Sequence, residues 1–389
     1  MSLPTGAPLH AEALDLALQP FGRSRMLPAA AYVSTEVFGW EQRHFFAAGW
    51  TCVGRRAELS DGHRAISAGD VGVLLTRDGD GALRAFANVC RHRGHEPLPV
   101  GGVGRHRSLV CPYHGWSYRP DGSLLAAPGF TGLTGTDAGE LGLVPLRVVE
   151  WHGWVFVSGS TEPGDFAEQV AGLDDVVAPY RPETLVPGAE HVYEVAANWK
   201  VLQENFHECY HCSLIHPELC RVSPPESGRN FRAAGTWVGG VMDLLDGAET
   251  MSLDGQSAGR RIEGLPAAQR RSVTYLGLFP DLLLSLHPDY VMAHRLQPLA
   301  AGTTRVTCSW YFPAEATARP GFDPAYAVDF WDRTNRQDWE ACESVQRGLG
   351  SPHYRPGPLS PREDAVYAFV TMVARGYRTG RVRPAHLTG

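Results

Sequence analysis

The sequence predicts an α+β protein, in which a small all-β domain precedes a second domain containing an antiparallel sheet and a long helix. From about residue 50 to residue 160, short β-like runs are separated by turn signals such as Asp78-Gly79 and Asp80-Gly81. Four further β-like runs lie between residues 274 and 312, and a helical pattern then extends from Ala325 to Leu349. We interpret the four runs as successive antiparallel strands, because short connections favour antiparallel pairing.

The bulk composition is that of an ordinary globular protein. The chain has 389 residues, of which 43% are hydrophobic and 20% are charged, so we expect two or three domains. A formal charge of −7 argues against nucleic acid as a partner. The segment from Met1 to Leu27 lacks the apolar core of a signal peptide, and no later stretch has the length of a membrane span. We therefore expect a cytoplasmic protein without a membrane partner.

The domain boundaries follow from these patterns. Residues 1–48 are predicted to form N-terminal helices, one at 10–19 and one at 35–48, that pack on the C-terminal domain. Residues 49–160 form the predicted all-β domain, and residues 161–389 form the C-terminal domain. Within the C-terminal domain, the polar and glycine-rich stretch 219–270 is interpreted as loops over a site.

The all-β domain contains two pairs of Cys and His residues. Cys90 and His92 are separated by one residue, and Cys111-Pro-Tyr-His114 follows after eighteen more. Without an export signal a disulfide framework is not expected, so metal ligation is the better use for these cysteines. Two Cys on one iron and two His on the other form a Rieske [2Fe–2S] cluster. A Cys₂His₂ zinc site remains an alternative, although zinc fingers commonly space their first pair by two to four residues.

A second concentration of metal-binding side chains lies between Glu204 and His216. If one helix runs through it, Glu204, Glu208 and His211 at i, i+4 and i+7 share one face. His216 precedes Pro217 and is expected where that helix ends. Two histidines and one further carboxylate on one face of an iron leave positions open for oxygen and substrate.

Asp338 is the candidate for that carboxylate. It shares a mostly apolar stripe of the long helix with Trp331, Asn335 and Cys342. A buried carboxylate needs a cation or strong hydrogen bonds, so either a metal or a paired arginine would explain it. Asp329 and Asp332 are weaker alternatives on the same helix.

These motifs together resemble the α subunit of the Rieske non-haem iron oxygenases, in the aromatic-ring-hydroxylating dioxygenase superfamily. The resemblance rests on Cys-x-His, Cys-Pro-Tyr-His-Gly-Trp, Glu-Cys-Tyr-His-Cys and the Gln-Asp-Trp context of Asp338, and it extends from about Tyr32 onward. The interval between the two Cys and His pairs is longer than in the family, which a longer turn at 101–104 can accommodate. The resemblance implies an all-β Rieske domain ahead of a helix-grip catalytic domain, whose curved antiparallel sheet surrounds the long helix.

The resemblance also implies cofactors, ligands and partners. The ligands of a [2Fe–2S] cluster would be Cys90, His92, Cys111 and His114, and those of a mononuclear Fe²⁺ would be His211, His216 and Asp338. O₂ would be the co-substrate, a separate flavin and iron–sulfur reductase would supply electrons, and the chain would form a homotrimer.

Two carboxylates near the histidines are candidate catalytic residues. In the family, an acid at the position of Glu208 links an iron-ligating histidine of one subunit to a cluster-ligating histidine of its neighbour, here His211 and His114. A solvated helix-face residue is the alternative for Glu208. Glu204 shares the stripe of the iron ligands and is expected beside them, whereas His207 is expected to pack or to meet solvent.

Cys209 and Cys212 form a Cys-x-x-Cys motif around His211. Redox motifs of this kind open a helix after a strand, whereas this pair lies inside the predicted helix. We therefore interpret both as packing cysteines.

The substrate is indicated only by resemblance. Asn198-Trp-Lys and the residues around Glu204 look most like the branch of the family that demethylates glycine betaine and related quaternary amines. Aromatic faces bind such cations, and the candidate side chains are Phe206, Trp237, Tyr275 and Phe279. Hydroxylation or dihydroxylation of an aromatic or other apolar substrate is one alternative. A non-catalytic, zinc-stapled binding protein is an alternative of a different class.

Overall fold

The chain folds into two compact units in the computed structural model, which describes residues 6–59, 62–77, 81–104, 108–130 and 139–384. One unit spans Glu41–Gly164, and the other combines Met1–Trp40 with Asp165–Gly389. These divisions fall at residues 40 and 164, compared with the predicted boundaries at 48 and 160. The predicted turn residues Asp78, Gly79 and Asp80 lie outside the described residues.

The Glu41–Gly164 unit is mainly β-structure, as predicted. It opens with a π-helical stretch, Gln42–Ala47, so the predicted helix at 35–48 is regular only in its first half. The strands are β1 Thr51–Arg55, β2 His63–Ala68, β3 Val71–Arg77, β4 Leu83–Ala87, β5 Val103–Gly104, β6 Leu109–Val110, β7 Ser117–Tyr118, β8 Leu124–Ala126, β9 Pro145–Trp151 and β10 Trp154–Ser158. An antiparallel sheet of order β1-β10-β9-β4-β3-β2-β5 packs its apolar face around Val73, Leu75, Val155 and Val157. A small sheet, β6-β7-β8, flanks the second Cys and His pair in sequence, because β6 precedes Cys111 and β7 follows His114.

The other unit is built on one antiparallel sheet, in agreement with the predicted fold class. Its strands are β11 Leu185–Val195, β12 Arg229–Asn230, β13 Trp237–Asp243, β14 Ser272–Leu278, β15 Leu282–Leu286, β16 Val291–Ala300 and β17 Thr303–Pro313. The spatial order is β11-β17-β16-β15-β14-β13-β12. The prediction that 219–270 consists of loops was wrong for β12 and β13. Gly239 and Gly240 belong to β13, where an added Cβ would meet the carbonyl oxygens of Tyr275 and Arg229, so they permit close strand approach rather than mobility.

Helices surround this second sheet. They are α1 Ala11–Asp15, α2 Ala30–Val33, α3 Thr35–Glu41, α4 Phe166–Gln169, α5 Asp174–Val177, α6 Trp199–Phe206, α7 Cys212–Ile215, α8 Pro217–Cys220, α9 Ala314–Thr317, α10 Ala325–Leu349 and α11 Asp364–Thr379. The long helix α10 has the predicted bounds, and it packs against α6. None of the described helices is long and apolar enough to cross a membrane.

Candidate metal centres and substrate pocket

The two Cys and His pairs lie on loops that close in the same way. The carbonyl of Cys90 accepts a hydrogen bond from the N–H of Gly94, and that of Cys111 accepts one from Gly115, both at 3.0 Å. Gly94 has φ 77° and Gly115 has φ 74°, a left-handed conformation that glycine adopts without strain. Each loop therefore folds back within five residues and presents its Cys and His on one side.

Thiols and imidazoles separate into two layers at these loops. Cys90 and Cys111 are buried, and burial raises the pKa of the Cys111 thiol. The rings of His92 and His114 lie 4.6 Å apart, with His114 exposed. Sγ of Cys90 lies 3.2 Å from the hydroxyl of Tyr118, which also accepts the Arg91 N–H. Paired sulfurs inside and paired imidazoles outside suit a two-iron cluster with one pair on each iron.

The histidines of the second motif come from the turns that follow α6. This helix ends at Phe206, so the prediction of one helix that carries Glu204, Glu208 and His211 on a shared face was wrong. The carboxylate of Glu208 accepts the backbone N–H groups of Tyr210 and His211, which removes these donors from any helical ladder. His211 then directly precedes α7, and His216 lies between α7 and α8.

His211, His216 and Asp338 form a compact cluster. The Nε2 atoms of the two histidines are 3.2 Å apart, and Oδ1 of Asp338 lies 3.3 Å from His211 and 2.9 Å from His216. Ligands about 2.1 Å from an octahedral metal lie about 3.0 Å apart on one face, which is the spacing seen here. Within the described part of the chain, no other three His, Cys, Asp or Glu side chains bring their ligand atoms within 4.8 Å of one another.

Hydrogen bonds on the far side of each ring fix which nitrogen faces the cluster. Nδ1 of His211 lies 2.5 Å from Oε1 of Glu208, and Nδ1 of His216 lies 2.8 Å from Oε1 of Gln337. Both partners are acceptors, so each ring donates from Nδ1 and, when neutral, presents the lone pair of Nε2. Two lone pairs and one carboxylate oxygen therefore converge, which suits a divalent cation.

Electrostatics agree with a cation at this point. Burial alone would raise the pKa of Asp338, but hydrogen bonds with His211 and His216 outweigh it and lower the pKa to about 2. For His211 the sign is opposite: burial alone would lower the pKa, but hydrogen bonds with Asp338 and Glu208 outweigh burial and raise the pKa to about 10. Without a metal the cluster thus retains a proton at neutral pH, and a bound metal would take the place of that proton.

Two neighbours of the cluster were not identified from the sequence. Gln337 orients His216, and Nδ2 of Asn205 donates to Oδ1 of Asp338 at 3.1 Å. Gln337 directly precedes Asp338, and Asn205 directly follows Glu204. Their positions next to candidate site residues were the sequence signal that could have identified them.

Glu204 lies elsewhere, which corrects the expectation that it stands beside the iron ligands. Its Oε1 accepts the hydroxyl hydrogen of Tyr32 at 2.7 Å, and it does not line the cavity at the cluster. Burial raises the pKa of Glu204 to about 8, although Tyr32 and Lys200 oppose this. His207 is buried, as one of its predicted alternatives required, and its ring lies against Gly277.

Cys209 and Cys212 are joined by a disulfide bond, with Cα atoms 4.9 Å apart. The interpretation of both as packing thiols was therefore wrong. Cys209 lies in the irregular turn after α6, and Cys212 is the first residue of α7, so the two side chains face each other across this turn.

A cavity of about 930 Å³ opens beside the cluster. The cavity is lined on its apolar side by the aromatic residues Phe206, Tyr275, Trp331, Trp339 and Tyr367. Phe206 and Tyr275 were predicted to bind substrate, whereas Trp237 and Phe279 lie outside the lining, which corrects that part of the prediction. Both are core residues: the indole N–H of Trp237 donates to the carbonyl of Ala171, and Phe279 is buried against Trp199.

Comparison with known proteins gives consistent results. Residues 182–379 match the family described as ring hydroxylating alpha subunit, catalytic domain, and residues 49–136 match the Rieske [2Fe-2S] domain. The glycine betaine monooxygenase oxygenase subunit of Chromohalobacter salexigens is 33% identical over 365 residues, covering 86% of this chain and 81% of the relative. The carnitine monooxygenase oxygenase subunit of Escherichia coli K12 is 35% identical over 339 residues, covering 85% of each.

Solved structures show the same relationship. The crystal structure of the quaternary ammonium Rieske monooxygenase CntA with γ-butyrobetaine superposes with a TM-score of 0.75 at 25% identity, covering 97% of this chain and 100% of that chain. These matches confirm the resemblance and the predicted fold class, and they favour an enzyme over a zinc-stapled binding protein. The chain belongs to the Rieske non-haem iron oxygenases as an α subunit with a [2Fe–2S] cluster, a mononuclear iron and O₂ as co-substrate.

Proposed function

We propose that this oxygenase removes an N-methyl group from a small quaternary ammonium compound. The observation that carries the proposal is the aromatic cavity beside the His211, His216 and Asp338 cluster, in a chain about one third identical to glycine betaine and carnitine monooxygenases. A quaternary ammonium has no N–H to donate, so aromatic faces and carboxylates are the groups that bind it. Hydroxylation of an aromatic ring is the alternative, because a cavity of this kind also accepts apolar rings.

The metal ligands are part of the proposal. Cys90, His92, Cys111 and His114 would bind the cluster, and His211, His216 and Asp338 would bind the iron on one face. When bound, the cluster supplies single electrons and the iron activates O₂. The chain's own contribution is to hold the two Nε2 lone pairs in place through Glu208 and Gln337, and to hold Asp338 through Asn205.

The proposed reaction balances with two electrons from a separate reductase, the partner that an oxygenase subunit requires. One oxygen atom enters a C–H bond of an N-methyl group, and the other leaves as water with two protons. The N-hydroxymethyl product then releases formaldehyde and a proton, which leaves a tertiary amine. The aromatic side chains Phe206, Trp331 and Trp339 would keep the ammonium oriented and exclude water while this occurs.

Glu208 is proposed as the positioning residue between the two metal centres of adjacent subunits. It bonds Nδ1 of His211 at 2.5 Å and lines the cavity, while His114 is exposed on its own unit. In a homotrimer, the partner subunit's His114 would meet the same carboxylate. A carboxylate shared between two ligand imidazoles orients both and shortens the route for the electron.

The test is a substrate screen with the purified protein, a flavin and iron–sulfur reductase, NADH and O₂. Glycine betaine, L-carnitine, γ-butyrobetaine, choline and naphthalene would be compared, with formaldehyde and ring-hydroxylated product measured for each. Formaldehyde in equal amount to the dimethylamino product supports demethylation. Turnover of naphthalene without formaldehyde from any ammonium compound would favour the aromatic alternative.

A further inference from the structure

The outer edge of the cavity is charged, and we call this set of residues the pocket rim. It consists of Glu226, Arg229, Asn230, Arg362 and Asp364. The two arginines are the only Lys or Arg residues among the described residues that line the cavity. A substrate with a negative group therefore has two cationic side chains available to it.

The two arginines differ in how far they are already engaged. Arg229 donates from both terminal nitrogens to Asp243, at 2.7 Å each, and also to the carbonyl of Ser227. Within the described residues, the side chain of Arg362 makes one hydrogen bond, from Nη2 to Oε1 of Glu226 at 3.1 Å. A guanidinium has five N–H donors, so Arg362 retains a free edge that can bind a carboxylate through two parallel bonds.

Arg362 lines the same cavity as the metal cluster of His211, His216 and Asp338. The inner lining, in contrast, offers aromatic faces, and no Lys or Arg is among its described residues.

This polarity orients a zwitterionic substrate, with the ammonium among the inner aromatic residues and the carboxylate at the pocket rim. We propose that Arg362 binds the substrate's carboxylate and makes the protein selective for quaternary ammonium carboxylates over choline, which has a hydroxyl group in place of the carboxylate. This inference rests on the proposed function, since it assigns the second half of the same substrate.

Glu226 is the group that the carboxylate replaces. Its side chain is 67% exposed, so it can rotate into solvent at little cost when Arg362 changes partner. The other acid of the rim, Asp364, is held by Nδ2 of Asn230 at 2.6 Å. Glu226 therefore competes with the substrate, and its removal is expected to strengthen carboxylate binding.

The experiment is anaerobic calorimetry on the metal-loaded full chain with glycine betaine, L-carnitine and choline. Of glycine betaine and L-carnitine, the compound that binds more tightly is used for the comparison. Arg362→Gln should raise the Kd of that compound about tenfold and change the Kd of choline by no more than about twofold. Glu226→Gln should tighten the same ligand about threefold, because it frees Arg362 and removes a like charge. Arg333→Gln is the matched control, since Arg333 also bonds a glutamate, Glu218, at 3.1 Å but lies outside the cavity lining.

The outcomes separate this inference from the proposed function. If Arg362→Gln weakens choline as much as the carboxylates, or weakens neither, Arg362 does not bind the carboxylate. If Glu226→Gln weakens carboxylate binding, the competition is wrong and the assignment fails with it. If none of the three ammonium compounds binds the unmodified protein while the variants fold, the proposed function itself fails.

Discussion

The two candidate metal sites differ in how far apart their ligands lie in the sequence. The loops with Cys90, His92, Cys111 and His114 are each closed by two local backbone hydrogen bonds, one of which comes from a glycine N–H. The other cluster joins two histidines to Asp338, which is 122 residues from His216 and reaches it through the packing of α10 against α6. The first site therefore depends on local turns, whereas the second depends on the whole C-terminal unit.

The largest expected effect tests whether the sites are independent. His211→Ala removes one of three converging ligand atoms, so the mononuclear iron and all oxygenation should be lost. The Rieske absorption should remain, because the proposed cluster ligands lie in the separate Glu41–Gly164 unit. Metal analysis would show a fall from about three irons per chain to about two.

Cys111→Ser is the reciprocal variant. It should abolish the red-brown colour while the iron bound by His211, His216 and Asp338 remains. A coloured Cys111→Ser protein with an unchanged spectrum would contradict the cluster assignment. Continued turnover by His211→Ala would contradict the triad.

Glu208→Gln should separate the electron route from metal binding. The variant keeps the size of the side chain and removes its charge, so both metal sites should fill and product formation should fall by orders of magnitude. Single turnover of the pre-reduced protein with O₂ and substrate, followed by cluster reoxidation, measures this directly. Glu194→Gln, on β11 and paired with Arg305 at 3.5 Å, is the control and should reoxidise normally. Reoxidation at the normal rate in Glu208→Gln would make Glu208 a packing residue, and loss of iron would make it a ligand.

The difference between the sites also explains what the sequence could predict. The Cys and His loops are local, so the residue types and their spacing carried the information, and the period of α10 placed Asp338 on an inward face. The helix through His211 was predicted wrongly, because periodicity does not register that the Glu208 side chain binds the Tyr210 and His211 amides.

The cavity could be predicted only in part for the same reason. Trp331 and Trp339 line it because α10 faces the sheet, and Phe206 does so because α6 ends there. Trp237 and Phe279 are equally aromatic in sequence, but Trp237 on β13 and Phe279 in the turn after β14 are buried in the core. Such choices depend on strand register and helix packing, which one sequence does not reveal.

Gln337→Ala should have a moderate effect, confined to the cluster of His211, His216 and Asp338. Its Oε1 accepts from His216 Nδ1, so without it the ring loses the hydrogen bond that selects its tautomer. We expect Fe²⁺ affinity to fall about 10- to 100-fold, with the Rieske spectrum unchanged. Retained iron would be measured after dialysis against a graded chelator series. Glu340→Ala, an exposed change on the same helix, should behave as the unmodified protein, and unchanged iron retention in Gln337→Ala would show that other contacts orient His216.

The smallest expected effect concerns the Cys and His loops. Gly115 has φ 74°, and a Cβ there would lie 3.5 Å from Cγ of Pro128, an ordinary contact. Gly115→Ala should therefore cost only the left-handed backbone strain, about 1–2 kcal/mol in the free energy of unfolding, and the cluster should still assemble. Urea unfolding followed by visible circular dichroism measures this. Gly139→Ala is the control, because that glycine has no positive φ and an added Cβ would meet nothing within 4 Å. If Gly115→Ala and Gly139→Ala have the same free energy of unfolding, the loop relaxes to relieve the strain. If Gly115→Ala loses the cluster, the turn geometry determines assembly in addition to the four ligands.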